Sequence, residues 1–362
     1  MIRKIDLNIL APIIILSLFG LLMVYSASNV VALEDYNDSF YYFKRQALFM
    51  TVGIILMFLI TKININIFYD FSFYIFVFCL FLLILVLIPG IGVVRGGARS
   101  WIGIGAFSIQ PSEFMKVGII LLLSKYLSKY YLDVKKTKYF ILLSIIVIFV
   151  FLLIMLQPDF GTGLVIVLSC FCFLFISGAN YKLFIIIGLI GLLGIGGLII
   201  SAPYRFERII AYLDPWSDPL GSGFQGIQSL FAITPGGLFG HGFNNSIQKH
   251  FFLPEPQNDF IYAIVVEEFG LIGGAIVLGL YLLIICNCFK ISKKIDNNYC
   301  KFIIIGLSLT LAIQVFINVG VVIGLLPVTG ITLPLFSYGG SSLLINYISF
   351  GLILNASKHQ NI

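Results

Sequence analysis

The sequence predicts an all-α polytopic membrane protein of about ten transmembrane helices. Three observations predict it. Hydrophobic residues make up 60% of the 362 positions and charged residues 10%, with a mean hydropathy of +1.07, well outside the range of soluble chains. Apolar runs near the ~20 residues that cross a bilayer recur along the whole length. Polar residues gather between those runs, leaving no stretch for a separate soluble unit, so residues 1–362 read as one transmembrane domain.

The ten expected spans lie near 9–30, 47–61, 72–88, 114–127, 140–156, 162–177, 183–201, 260–288, 302–325 and 341–355. Arg3 and Lys4 ahead of the first run, with Ser26-Ala27-Ser28 after Tyr25, resemble a cleaved leader. The apolar core is long enough to span, which favours an uncleaved first helix. The fourth and sixth runs are short, as suits helices that begin inside a protein-lined cavity. Most Lys residues, including Lys62, Lys125, Lys129, Lys290, Lys293, Lys294 and Lys358, fall in segments that alternate to one side. The positive-inside rule makes that side cytoplasmic, with both termini there.

On the other side, the connection between the seventh and eighth helices is long, 202–258, and rich in Gly, Pro, Asn, Gln and aromatics. A connection of that length is functional or disordered, and its aromatic content argues for order.

Several functions are excluded. The net charge of +6 comes from residues dispersed among short connections, with no basic patch for nucleic acid. The six Cys read as small buried side chains, and the Cys-x-Cys pairs lack a nearby His for zinc. Gly236-Gly237-Leu238-Phe239-Gly240-His241-Gly242 has neither a preceding strand nor a following Gly-Lys-Ser/Thr, so it is not a nucleotide loop. Ser337-Tyr338-Gly339-Gly340-Ser341-Ser342 lacks the strand and His partner of a nucleophile elbow.

The remaining candidates all face outward. Arg95 and Arg99 lie in Val94-Arg95-Gly96-Gly97-Ala98-Arg99-Ser100-Trp101, against the charge rule. Glu113 and Lys116, three apart, share one face at the start of the fourth helix. They are either an ion pair reaching the interface or part of an anion site. Arg205 and Arg208 mark a short amphipathic segment on the membrane surface. Glu255 and Asp259 flank a turn in Phe252-Leu253-Pro254-Glu255-Pro256-Gln257-Asn258-Asp259-Phe260, with Glu267-Glu268 in the helix behind. A carboxylate near hydrocarbon has a raised pKa and can act as a general base. The plain alternative is that Asp259 caps the helix.

At these segments the chain resembles the SEDS family of shape, elongation, division and sporulation proteins, over nearly its whole length. Gly97-Ala98-Arg99-Ser100-Trp101-Ile102 is similar to the family's Gly-Ala-Arg-Arg-Trp-Ile, with Ser100 in place of the second Arg. Gln110-Pro111-Ser112-Glu113-Phe114-Met115-Lys116 and Gln157-Pro158-Asp159-Phe160-Gly161-Thr162 resemble two further elements. The segments 253–260 and 327–342 follow the family closely, and Gly221-Ser222-Gly223-Phe224-Gln225 resembles its division and sporulation branches more than its elongation branch.

The resemblance implies a ten-helix peptidoglycan glycosyltransferase acting on lipid II, with a class B penicillin-binding protein as transpeptidase partner alongside other division or sporulation proteins. It implies that Asp259 is the essential acid, which sets the capping alternative aside. Glu113 and Lys116 then line the cavity, and Arg99, Trp101, Arg205, Lys249 and Glu255 are candidate substrate-binding residues. No cofactor is called for; a divalent cation could share the leaving-group charge, but the sequence offers no convincing ligand set. A lipid II flippase and a non-catalytic scaffold are the rival readings.

Overall fold

A computed structural model of the chain describes residues 6–95, 97–104, 107–130, 136–200 and 203–359. Ten of its helices fall on the ten expected spans: α1 (Leu7–Tyr36), α2 (Tyr41–Lys62), α3 (Ile65–Leu85), α4 (Pro111–Lys129), α5 (Thr137–Met155), α6 (Phe160–Ile176), α7 (Tyr181–Ile200), α10 (Ile261–Ser292), α11 (Asn298–Val322) and α12 (Gly340–Ser357). Two more, α8 (Pro203–Leu213) and α9 (Phe224–Ile233), sit in the long connection, joined by a 3-10 turn at Pro215–Ser217. That connection is therefore folded, as its aromatics suggested.

Helix starts follow ordinary capping chemistry. Asp6 accepts from the Asn8 N–H at 2.9 Å and Asn64 from the Asn66 N–H at 3.0 Å. Asn297 takes the N–H groups of Tyr299 and Cys300. Six helices, α1, α2, α3, α5, α10 and α11, are long and apolar enough to cross a membrane by length and composition alone. α4 and α12 lie inside the bundle, where buried Glu113, Lys116, Ser341 and Asn355 dilute their hydropathy.

The packing centre is α11, almost entirely buried, against α4, α6, α10 and α12. α12 also packs along α2, where Gly53 and Gly351 leave no room for a methyl against Tyr347 and Met57; close backbone approach of this kind holds helices together in lipid. Bulky apolar side chains point outward on α3 (Phe71, Phe73, Phe78, Phe81) and α5 (Ile145, Phe149, Leu152), as a lipid-facing surface requires. Of the cysteines, four are buried, but Cys172 is half-buried and Cys286 is exposed, on the face of α10 opposite the buried Tyr281, Ile284 and Cys288.

The helical expectation misses one element, a three-stranded antiparallel sheet of β1 (Gly92–Arg95), β2 (Ala98–Ile104) and β3 (Phe107–Ile109). It covers the end of the bundle where α4 begins. Ser100 has no partner across from Val93 and Val94, so it forms a bulge, and it is buried. The departure from the family pattern thus falls on a bulged inward position.

α10 is a broken helix. Gly270 adopts φ 67° and ψ −169° inside it, a region open essentially to glycine. The break would orphan backbone groups, and the glycine-rich 236–242 run supplies their partners. His241 and Gly242 N–H groups donate to the carbonyls of Glu267 and Glu268, at 3.0 and 2.8 Å. The Leu271 and Ile272 N–H groups donate in turn to Gly237 and Leu238 carbonyls, at 2.9 and 3.2 Å. A Cβ on Gly240 would lie 2.3 Å from the Glu268 backbone. Non-helical backbone survives at this depth only when fully paired in this way.

Candidate functional site

Hydrogen bonds sort the chain's segments between two ends of the bundle. One end gathers 236–260, 325–339 and the sheet, and every candidate residue lies there.

Glu113 and Lys116 are on the first turn and a half of α4, which enters through Pro111. They form an ion pair at 2.8 Å with both side chains about 5% exposed. The reading in which they reach the interface is therefore wrong: the pair is inside the protein. Lys116 Nζ also donates to Gln314 Oε1 at 2.7 Å. The mouth of α4 is fixed by Asp159, which accepts from Gln110 Nε2 and Ser112 Oγ, both at 2.8 Å, while capping α6 through the Thr162 N–H.

Asp259 sits just ahead of α10. The capping position of that helix is Phe260, and no side chain caps it, so the capping reading fails. Leu253, Pro256, Gln257 and Phe260 are buried and anchor the turn. Tyr338 N–H donates to the Gln257 carbonyl at 2.8 Å, and Asn318 Nδ2 to the Asp259 carbonyl at 2.7 Å. Burial pushes the Asp259 carboxyl up to about 7; its own backbone N–H opposes this, the neighbouring Glu255 charge adds to it, and Arg208 opposes it. A carboxyl poised there can take or give a proton near neutrality.

Glu255 is exposed, at φ 45°, and accepts from Asn258 Nδ2 at 2.6 Å. Arg208, on α8, donates to the Val328 carbonyl at 3.2 Å, and Tyr212 one turn on donates to the Leu325 carbonyl at 2.9 Å. These two bonds hold α8 against 325–328, a segment adjoining the one that Asn318 ties to Asp259. Arg205 is in the same helix, but its side chain, like that of Arg95, lies outside the described residues.

Arg99 and Trp101 are half-buried on β2, opposite Val94 and Val93, with the Arg99 stem crossing Gly92. The sheet abuts α4, so these residues flank the Glu113–Lys116 side of the site.

Lys249 departs from expectation. It is 2% exposed, and its ammonium donates to Asn244 through both the main-chain carbonyl, at 2.6 Å, and the side-chain oxygen. Glu268 Oε1 lies 3.8 Å away. A lysine so enclosed holds the loop together and has no face for a ligand. The same cluster uses both acids behind the turn. Glu267 accepts from Ser246 Oγ and the Ile247 and Gln248 N–H groups, and Glu268 from Ser26 Oγ of α1. Ser26 is thus buried in the middle of α1. Among the described residues, no group of three His, Cys, Asp or Glu side chains comes together as a metal site.

Sequence reasoning passed over Asp159 as a clamp, Arg208 as the cation beside Asp259, and Gln314 and Asn318. The last two carried a signal: amides four apart in an otherwise apolar helix.

Fold and site together define a polytopic membrane protein with a buried ion pair, a sheet bearing Arg99 and a half-shielded carboxyl at one end of a helical bundle. The chain belongs to the FtsW/RodA/SpoVE family of cell cycle proteins, whose sequence model matches residues 6–362. It is 50% identical to stage V sporulation protein E of Bacillus subtilis (strain 168) over 356 residues, 98% of this chain and 97% of that one. It is 37% identical to the probable peptidoglycan glycosyltransferase FtsW of Geobacter sp. (strain M18), over 98% of this chain and 97% of that one. Among solved structures, a chain from work on structural coordination of polymerization and crosslinking by a peptidoglycan synthase complex superposes with a TM-score of 0.79. The two are 30% identical, over 99% of this chain and 98% of that one.

Proposed function

We propose that this chain is a peptidoglycan glycosyltransferase that polymerises lipid II at the outer face of the cytoplasmic membrane, serving sporulation or division. Asp259 is the general base. It takes the proton from the 4-hydroxyl of the acceptor's N-acetylglucosamine; the oxygen attacks the anomeric carbon of the donor's N-acetylmuramic acid; undecaprenyl pyrophosphate leaves and the anomeric centre inverts. Arg208, Arg99 and Lys116 offset the charge that develops on the leaving group, with Arg205 close by on α8. Trp101 and Glu255 contact substrate.

The observation that carries this reading is the Asp259 carboxyl, held at the turn ahead of α10 within electrostatic reach of Arg208 and pushed up to about 7 by burial. The relatives' names supply the reaction class. The same kinship supports a class B penicillin-binding protein as the transpeptidase that cross-links the product. Higher identity to the sporulation protein than to the division relative favours the sporulation pathway.

The test is purified protein in liposomes carrying lipid II. Wild type should yield glycan strands, and Asp259→Asn should be folded but lose at least ~100-fold in rate, the usual worth of a general base. Strand synthesis by Asp259→Asn overturns the base assignment. Movement of labelled lipid II across the bilayer without lengthening would instead establish a flippase.

A further inference from the structure

Inside the bundle, α11 carries two amides on one face, Gln314 and Asn318, four residues apart. Both are buried, at 2% and 1% exposure. Gln314 Oε1 accepts from Lys116 Nζ at 2.7 Å, and its Nε2 donates to the Thr332 carbonyl at 2.9 Å. Asn318 Nδ2 donates twice, to the Ile331 carbonyl and to the Asp259 carbonyl, each at 2.7 Å. Residues 331 and 332 are adjacent, so the two amides grip one strip of chain from the same side and reach in opposite directions from it. One ends on the buried ion pair, the other on the main chain of the proposed base.

We propose that Gln314 and Asn318 are positioning residues for the transfer reaction, linking the Glu113–Lys116 pair to the main chain of Asp259 through the 331–332 segment. This rests on the reading of Asp259 as general base. A purely structural role for the amides accounts poorly for two features. Asn318 Oδ1 is buried without a partner, and an orphaned acceptor costs stability; the orientation is therefore dictated by the two donor bonds. Beside Lys116 and Gln314 there is also a cavity of about 20 Å³, faced by Thr310, Asn346 and Ser349. It is large enough for one water, which can take the place of Gln314 as a partner of the ammonium when an anion draws on Lys116. Movement of the ammonium then releases Gln314, loosens the 331–332 strip and alters the hold on Asp259. Anion capture at the pair and the setting of the base become one event.

The test uses the full chain in liposomes, with lipid II as substrate. Gln314→Glu keeps the acceptor for Lys116 and loses the donor to Thr332; Asn318→Ala removes both donor bonds. Each should lower kcat by roughly tenfold, the worth of one buried hydrogen bond of about 1.4 kcal/mol, while KM for lipid II changes little. The pH at which the rate is half-maximal should move in both, because Asp259 now sits differently between Glu255, which raises its pKa, and Arg208, which lowers it. The double variant should be no slower than the worse single one. Hydrogen exchange over 255–262 should quicken in Gln314→Glu, although residue 314 makes no bond to that segment. This measurement needs no turnover and decides the matter should Asn318→Ala fail to fold. Multiplying kcat losses, an unmoved pH midpoint or unchanged exchange overturns the link. Asp259→Asn is run in parallel: its activity would dispose of the base itself, whereas its inactivity beside wild-type behaviour of the amide variants disposes of the link alone.

Discussion

At Asp259, the chemistry depends on how three charges are arranged, two on the turn ahead of α10 and one, Arg208, on α8. Burial pushes its carboxyl up to about 7, Glu255 pushes the same way and Arg208 pulls back. A base must be deprotonated to act, so the polymerisation rate should rise with pH through 7. At pH 6 only about one-tenth of the carboxyl is ionised, and the rate should fall to about that fraction of its plateau. Removing Glu255 takes away a like charge and lowers the pKa, so Glu255→Gln should move the acidic limb to lower pH. Removing Arg208 takes away an opposite charge, so Arg208→Gln should move it to higher pH. Rate–pH profiles of the three proteins on lipid II in liposomes check all of this, and shifts in the same direction would contradict the arrangement. Asp259, Glu255, Glu113 and Lys116 stood out in the sequence as charged groups beside hydrocarbon, but it was the family resemblance, not their spacing, that singled out Asp259 over a helix cap. Arg208 was weighed there only alongside Arg205, and Lys249 was misjudged. Spacing cannot distinguish an exposed cation from one folded back onto Asn244 and Glu268.

The break in α10 shows what local pattern reveals and what it hides. The 236–242 glycines could be excluded as a nucleotide loop because neighbouring elements were wrong, but nothing local says that they pair with residues some thirty positions on. That pairing depends on Gly270, an unremarkable glycine in an apolar run, taking a conformation the run does not predict. The sheet at 92–109 was missed for a related reason: its strands are short, with Gly96, Gly97 and Gly105 in the sequence between them, and their partners are each other rather than a buried face. Gly270 gives the sharpest test. A methyl there would lie 2.2 Å from the Leu238 carbonyl oxygen, at a φ that L-residues avoid. Gly270→Ala should destabilise by at least ~1–3 kcal/mol from backbone strain alone, seen as a lower Tm in detergent and loss of polymerisation. Gly279→Ala, on the same helix with open space around it, should be neutral or gain up to about 1 kcal/mol. Equal effects of the two would mean that the break is not built on Gly270.

Seen end to end, ten helices fall where hydropathy expected spans; six of them carry the length and apolarity that lipid imposes, while α4 and α12 hold polar groups sheltered inside the bundle. Which way the bundle faces rests on charge instead. Asn287 donates to the Asn8 carbonyl, Lys125 to the Asp70 carbonyl, and Asn355 to the Ile60 and Ile63 carbonyls. One end therefore gathers the start of α1, the α2–α3 turn, the end of α4, the α10–α11 turn and the end of α12. Lys62, Lys125, Lys129, Lys290, Lys293, Lys294, Lys301 and Lys358 lie in those segments, with few acids to balance them. The opposite end holds the sheet, α8, α9 and Asp259. Positive charge in short connections resists translocation, so the lysine-rich end should be cytoplasmic and the Asp259 end outside, where lipid-linked donor and growing strand would meet. A cysteine introduced at Ser222, in the exposed turn before α9, should react with a membrane-impermeant maleimide in intact cells. One introduced at Lys294, in the exposed α10–α11 turn, should react only after permeabilisation. The reverse pattern would put Asp259 on the cytoplasmic side, away from any finished glycan strand, and polymerisation outside the cell would have to be abandoned.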